Sequence, residues 1–391
     1  MQDPQSRNQE SGIRSQESAS GLRSPRITDS CPMTPDPSRL RRAFTLTELL
    51  IVIAIIAVLA ALITAAAVNA LRAANRGRII MTIQGISRAA EDFKVDYGAY
   101  PPNGMNPNPG VTTPGSPAQL VKSDFTRMAK KAFPRINSAE LDVFVALAGE
   151  VPPSGTSIVK SGPVDDGMSA AEAVYFWFGG FSSDEQFPLS GPGGPSHVQG
   201  EEILENRAIR YEFELTQLQP RNDAGGFDES ENRFVQYEID LNSDGNIQAN
   251  ELRQINLWRY HPKGSEVPIA YFDASRHKPG VAPGSYDPPF AQNASVYALK
   301  QLREGAADVN VGGAAGATEF KNVVFVNQGK CQIIHAGLDD AWGDESFEQM
   351  SCQEAGDADS LLLYPTGPFI GEIADTLSNF SEGTLEDATE E

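Results

Sequence analysis

Residues 49–68 (LLIVIAIIAVLAALITAAAV) run for twenty positions without a charge, long enough to cross a bilayer core as a helix. A polar, basic stretch ending in Arg39, Arg41 and Arg42 precedes the run. By the positive-inside tendency that end stays in the cytoplasm and the remainder is exported. Arg72, Arg76 and Arg78 on the far side weigh against this orientation. A secretory signal would have a shorter apolar core, about 7–15 residues, followed by a small-residue cleavage site. Here the apolar run passes without a break into a second pattern. Ile79, Ile83, Ile86, Ala90, Phe93 and Tyr97 recur at spacings of 4, 3, 4, 3 and 4, which gives one apolar stripe on a helix. No proline lies between Phe44 and Tyr100 to force a break. The expectation is one helix of about fifty residues, roughly 75 Å long at 1.5 Å per residue. Its first half lies in lipid, and its second half packs a stripe on a globular head.

Charge narrows the function classes. The chain of 391 residues carries a formal charge of −21. Residues 1–43 are +2 and the rest −23. A body so acidic repels phosphate, which argues against nucleic acid as a partner. Glu48 sits at the mouth of the apolar run, where a carboxylate is expensive and has a partner or a function unless it lies at the lipid interface.

Residues 41–50 (RRAFTLTELL) resemble the cleavage and methylation motif of type IV prepilins and type II secretion pseudopilins. The resemblance implies that a prepilin peptidase cuts between Ala43 and Phe44 and methylates the new amine. It also implies that Glu48 pairs with a neighbouring subunit's N-terminal ammonium during assembly. Each buried charge then lowers the cost of the other. The family has Gly where Ala43 stands, a departure that keeps small size. The leader of 43 residues is long, and a start at Met33 would shorten it to eleven.

Past the helix, residues 96–102 (DYGAYPP) hold the Gly and paired Pro that end a helix and open a loop. They resemble the helix end of major pseudopilins. Residues 122–149 have helical character broken at Pro134, and Ser169 with Glu172 has capping-box spacing ahead of an aromatic run at 174–178. The Gly- and Pro-rich stretch 179–200 reads as a loop. Ile209, Tyr211, Phe213 and Leu215 alternate with Arg210, Glu212 and Glu214, the pattern of a half-buried strand. Further strands are expected at 234–239, 267–272, 323–327 and 331–335. The expected fold is α+β and pilin-like, with the long helix packed on an antiparallel β-sheet head that carries insertions.

Residues 240–251 (DLNSDGNIQANE) fit the twelve-residue calcium loop. Asp240, Asn242 and Asp244 supply oxygens at positions 1, 3 and 5, and Gly245 permits the turn at 6. Asn246 offers its carbonyl, Gln248 a direct or water-mediated contact, and Glu251 two carboxylate oxygens. The competing reading is a polar Asx and Gly turn. A strand pattern precedes the loop, so it resembles isolated dockerin-like loops more than a sensor pair. Residues 331–344 resemble the pseudopilin region in which an acidic loop holds structural calcium, and residues 375–380 resemble that family's closing segment. By that resemblance Asp339, Asp340 and Asp375 are candidates for a second calcium site. A solvated acidic loop is the alternative. Cys331 and Cys352 either form a disulfide in an oxidising compartment or are two unpaired core residues. His197, His261, His277 and His335 show no metalloprotease spacing, and no phosphate loop, nucleophile elbow or CxxC is present.

Together these readings give three parts: a leader at 1–43, a helix at 44–96 with its span at about 49–68, and an exported head at 97–391. The leading expectation is a non-enzymatic pseudopilus subunit of type II secretion. It would reside in the inner membrane with a cytoplasmic leader and periplasmic head. Its partners would be prepilin peptidase, other pseudopilin subunits, the inner-membrane assembly platform and the membrane. The alternatives are a type IV pilin or minor pilin for adhesion or motility, and a membrane-anchored calcium-binding module.

Overall fold

A computed structural model describes residues 44–102, 104–105, 117–152, 157–161, 167–199, 210–220, 233–242, 244–274, 298–307, 311–312, 319–320, 322–342 and 363–389. The fold is α+β. Its first helix, α1, is Leu46–Tyr97, 52 residues without interruption. By contact density the chain divides into Met1–Leu62 and Ile63–Glu391. In the first unit, every described residue from Phe44 to Leu62 is exposed. By length and composition this helix is suited to crossing a membrane.

In the second unit the predicted stripe is the buried edge of the core. Ile79, Ile83, Ile86, Ala90 and Phe93 are between 0 and 3 % exposed. Among the described residues four further helices follow: α2 (Pro117–Ala132), α3 (Ser138–Leu147), α4 (Ala170–Phe178) and the short α5 (Leu385–Thr389). The break between α2 and α3 falls at Pro134, whose ring cannot continue a helix. Asn137 caps α3 by accepting the Ala139 N–H at 2.8 Å. Ser169 and Glu172 close the expected capping box on α4. The aromatic run of α4 is core: Trp177 meets Phe93 edge-on at 5.7 Å and stacks on Phe144 at 5.8 Å. The Trp177 indole N–H donates to the Pro102 carbonyl at 2.8 Å, which fixes the chain where it leaves α1.

The strands are short and divided among several small sheets, where sequence alone suggested one. The largest has four antiparallel strands in the order Ile158–Ser161, Phe234–Glu238, Leu252–Asn256, His197–Val198. A second sheet sets Gln332–His335 between Ala270–Phe272 and Leu377–Ser378. In a third, Lys300–Leu302 pairs antiparallel with Val323–Phe325 and parallel with Leu363–Tyr364. The expected strand at 209–215 is absent from the described part, residues 210–215; Ile209 lies outside the described residues. The Arg210 and Tyr211 N–H groups both donate to Phe178 O at the end of α4, so no ladder forms there. Tyr211 and Phe213 instead dock their rings beside Tyr260, at 6.3 and 4.9 Å. Tyr211 lies over Gly85 of α1, where an added Cβ would come within 2.6 Å of the ring. Cys352 and the leader lie outside the described residues; Cys331 is buried.

Long-range polar groups tie these pieces together. Arg233 and Glu172, each 1 % exposed, pair with Nη1 at 2.7 Å from both carboxylate oxygens. Arg233 Nη2 also donates to Gly167 O at 2.8 Å. Glu140, fully buried, accepts the Leu189 and Ser190 N–H groups at 2.7 Å each, which pins the middle of the Gly- and Pro-rich loop. His335 accepts the Gly337 N–H on Nδ1, which puts its proton on Nε2, facing Val267 O and Ser265 Oγ.

Two outcomes follow. Replacing Arg233 with Met leaves the Glu172 carboxylate buried and unpaired, and should cost about 3–5 kcal/mol. Urea unfolding followed by Trp fluorescence checks this, and a loss under about 1 kcal/mol would mean that the pair is solvated. The second outcome concerns pH. Burial holds His335 down at about 4, and burial together with the Arg259 charge holds His261 down at about 3. Unfolded histidine titrates near 6.5. Between that value and 4 the unfolded chain takes protons that the fold refuses, so stability is full above about 6.5 and falls with acid. Glu140 acts oppositely: burial pushes it up to about 7, so its contribution grows as pH falls toward 4.5. Replacing either histidine with Asn should therefore flatten the decline between pH 7 and 4 by up to about 3 kcal/mol, and Glu140→Gln should steepen it. A His335→Asn profile as steep as wild type would refute this assignment.

Candidate functional site

The start of α1 is built by a local bond pattern. Thr45 precedes the first helical residue, and its Oγ1 accepts the Glu48 N–H at 3.2 Å. Glu48 Oε2 accepts the Thr45 N–H at 2.8 Å and the Thr45 hydroxyl at 2.9 Å. This is a capping box in which two orphan donors of the helix start are satisfied. Glu48 is therefore held one turn from Phe44, which is 79 % exposed. The helix start also favours a negative group on electrostatic grounds. Thr45 was not singled out in the sequence, although its Thr-x-x-Glu spacing is the same signal that identified Ser169 and Glu172. Ala43 lies outside the described residues.

The loop at 240–251 connects two antiparallel strands, Phe234–Glu238 and Leu252–Asn256, with Glu238 opposite Leu252. A hairpin therefore takes the place of a helix pair. Ile239 is buried, Leu241 packs on the core, and Ile239 N–H donates to Glu251 O, so the loop is fastened at both ends. Gly245 adopts φ +80°, a left-handed turn that a side chain would strain. Asp240 accepts the Asp244 and Gly245 N–H groups at 3.2 and 2.8 Å. Asn242 Oδ1 accepts the Asp244 N–H, and Asp244 Oδ2 receives the amides of Asn242 and Gln248 at 3.1 and 3.0 Å. These bonds hold the Asp244 carboxyl below its ordinary range, the Asn246 N–H contributing most. Asp240, Asn242, Asp244 and Gln248 are thus brought together. Glu251 is turned inward: it is 1 % exposed, and its two oxygens accept the Leu241 and Gln248 N–H groups at 2.9 and 2.8 Å. Asn246 is exposed on the same loop, and Ser243 lies outside the described residues.

The acidic loop after Gln332–His335 is split between two tasks. Asp375 Oδ2 accepts the Leu338 N–H at 2.7 Å, and burial together with the nearby Asp339 charge raises its carboxyl above the ordinary range. Gly337, at φ +111°, makes this approach feasible, since a Cβ there would lie 2.2 Å from Asp375 Oδ1. Asp340 points elsewhere, accepting the Ser265 hydroxyl and the Glu266 N–H. The structure therefore joins Asp339 with Asp375 and separates Asp340 from them. Among the described residues no three of His, Cys, Asp and Glu come together as a metal-holding group.

Ser265, His335 and Asp340 have the residue types of a hydrolytic triad but the wrong roles. Ser265 donates to Asp340 and accepts the Val267 N–H at 3.0 Å, so its hydroxyl anchors a turn. His197 lines an open groove of about 540 Å³ with Asp184, Leu241 and Arg253. Arg253 at that groove donates to the Ser190 and Ser196 carbonyls, a bracing contact.

Comparison with known proteins places one segment. Residues 38–64 match the family model described as the prokaryotic N-terminal methylation motif. No curated protein matches the chain. No solved structure matches it either. The matched residues contain Ala43, Phe44, Thr45 and Glu48, so the chain carries a prepilin-type processing motif, the signature of pilin-like proteins cut by prepilin peptidase.

Proposed function

We propose that this chain is a filament subunit of the pseudopilus kind, cut between Ala43 and Phe44, methylated at the new amine and polymerised through its apolar helix. The observation that carries the reading is the methylation motif at 38–64, which coincides with the start of a long, exposed apolar helix. Before assembly the span at 49–68 holds the subunit in the inner membrane, with the head on the exported side. Glu48 serves as the assembly carboxylate: the ammonium of a neighbour's Phe44 approaches it where lipid excludes water. In such a medium an unpaired charge is costly, and a wrong register leaves one. The Thr45 clasp holds the carboxylate at the helix mouth, ready to exchange a hydroxyl partner for an ammonium.

Within this class we favour the pseudopilus of type II secretion over a surface pilus. The tyrosine, glycine and proline pattern at 97–102 and the closing segment at 375–380 support it. The head also takes calcium in this reading, through Asp240, Asn242 and Asp244 with Gln248, and with Glu251 once it gives up its backbone partners. The donors are all oxygen, as that hard cation requires. Bound calcium would add its binding free energy to folding, an advantage for a head that works outside the cytoplasm.

Four outcomes test the proposal. The N-terminal peptide of protein from native membranes should begin at methylated Phe44; an intact leader through Ala43 would mean a plain anchor. Glu48→Gln keeps a capping-box acceptor but removes the charge. It should be processed normally yet lose filaments roughly tenfold or more. Comparing secreted proteins with surface filaments in a deletion strain separates the two machines, since unchanged secretion with lost pili would exclude the secretion reading. For calcium, millimolar addition should raise the unfolding midpoint of the wild type and leave an Asp240→Asn, Asp244→Asn variant unmoved. An equal shift in both would exclude the loop.

A further inference from the structure

The arginines beyond the span go unused in that reading. Between Glu48 and Glu91 the chain has no Asp or Glu, but it has Arg72, Arg76, Arg78 and Arg88. Exported flanks are the side on which the positive-inside tendency leaves few arginines. A group of them there, in a chain of −21, calls for a partner.

Helix geometry limits which partner they reach. α1 runs through this segment unbroken. At 1.5 Å per residue, Arg72 lies about 6 Å and Arg78 about 15 Å past residue 68 along the axis, and Arg88 about 30 Å. The headgroup layer on each side of a bilayer is roughly 5–8 Å deep. Helical Cα–Cβ bonds tilt toward the N-terminus, and long basic stems carry the charge back further in that direction. Arg72 and Arg78 are thus within reach of headgroups, and Arg88 is not.

The head adds a third cation at the same level. Arg78 Nη1 donates to Lys263 O at 3.4 Å, and a Cβ added at Gly264 would lie 3.9 Å from the Asn75 amide nitrogen. The 262–266 loop therefore rests on this turn of α1. Arg72, Arg78 and Lys263 are all exposed. Arg78 donates to two neutral oxygens, Lys263 O and Asn75 Oδ1, which leave its charge uncompensated. Of the acids nearby, Asp387 lies 3.7 Å from Arg76, and Glu266 is exposed in the same loop as Lys263.

We infer that Arg72, Arg78 and Lys263 form a seat for the anionic phosphate headgroups of the leaflet in which the span ends, with Arg76 held aside by Asp387. The inference rests on the reading of 49–68 as a membrane span. The seat fixes the depth of the helix in the bilayer. Because each contact is electrostatic and exposed, the seat weakens with salt. Extraction into a filament then exchanges lipid phosphates for other anions at low cost.

The test uses the full chain in phosphatidylcholine vesicles doped with spin-labelled phosphatidylglycerol or spin-labelled phosphatidylcholine. The wild type should hold phosphatidylglycerol several-fold more tightly at low salt and lose the preference at high salt. An Arg72→Gln, Arg78→Gln, Lys263→Gln variant should fall to no preference, each substitution contributing up to about fivefold. The Arg72→Lys, Arg78→Lys variant should retain it, since charge is what is read. No preference in the wild type, or an unchanged preference in the triple Gln variant, overturns the seat. If the triple variant keeps its lipid preference but no longer cross-links to a second copy, the cations face another subunit and the seat is likewise overturned. Alkaline extraction separates the premise: wild type released from plain phosphatidylcholine vesicles would refute the span itself.

Discussion

One helix has to satisfy two solvents. Over 49–68 its surface is apolar all round, and no packing of one side could satisfy it. Over 79–93 an apolar stripe is buried against protein. The change of pattern within one unbroken helix sets every other requirement on the chain. The first stretch needs lipid or other helices of its kind, and the second needs a head folded on it. The charged residues concentrate accordingly, with no acid between Glu48 and Glu91 and an acidic head beyond.

The stripe explains why the head is more aromatic than the strand pattern suggests. Phe93 faces Trp177 and Phe178 of α4, and Arg210 lies 5.3 Å over the Phe93 ring and 4.9 Å over Tyr97 while pairing with Asp96 at 2.7 Å. The helix that carries Trp177 and Phe178, nine residues long, is buried along its whole length. α4 also packs on the strands Trp258–Tyr260 and Ala270–Phe272. The division of the strands follows from the Gly and Pro content between them, since each break leaves few residues to extend a ladder.

What the sequence made legible was local. The stripe, the stop at Pro134, the capping box of Ser169 and Glu172, and the turn at Gly245 each depend on residues within one or two turns, and each is found where periodicity or spacing puts it. What it hid was distant. Glu172 meets Arg233 across 61 positions, and Glu140 meets Ser190 across 50. No pattern in a single chain marks such partners. The segment around Tyr211 shows the error in between. Its alternation reported correctly that the rings are inward, but period two does not require a ladder. The backbone donors had a nearer acceptor in the open end of α4.

The candidate assembly site was half legible for the same reason. Glu48 stood out because a carboxylate beside an apolar run is expensive, whereas Thr45 did not, because a threonine there has no cost to explain. Yet Thr45 is what makes the carboxylate tolerable in a single subunit. It supplies a hydroxyl and a backbone N–H to one oxygen, and so replaces two of the water contacts that lipid would remove. An acid with no partner at the membrane mouth would favour protonation or withdrawal toward water. One already bonded within its own turn keeps its charge and its place, which is the condition under which an incoming ammonium is recognised by position as well as by sign.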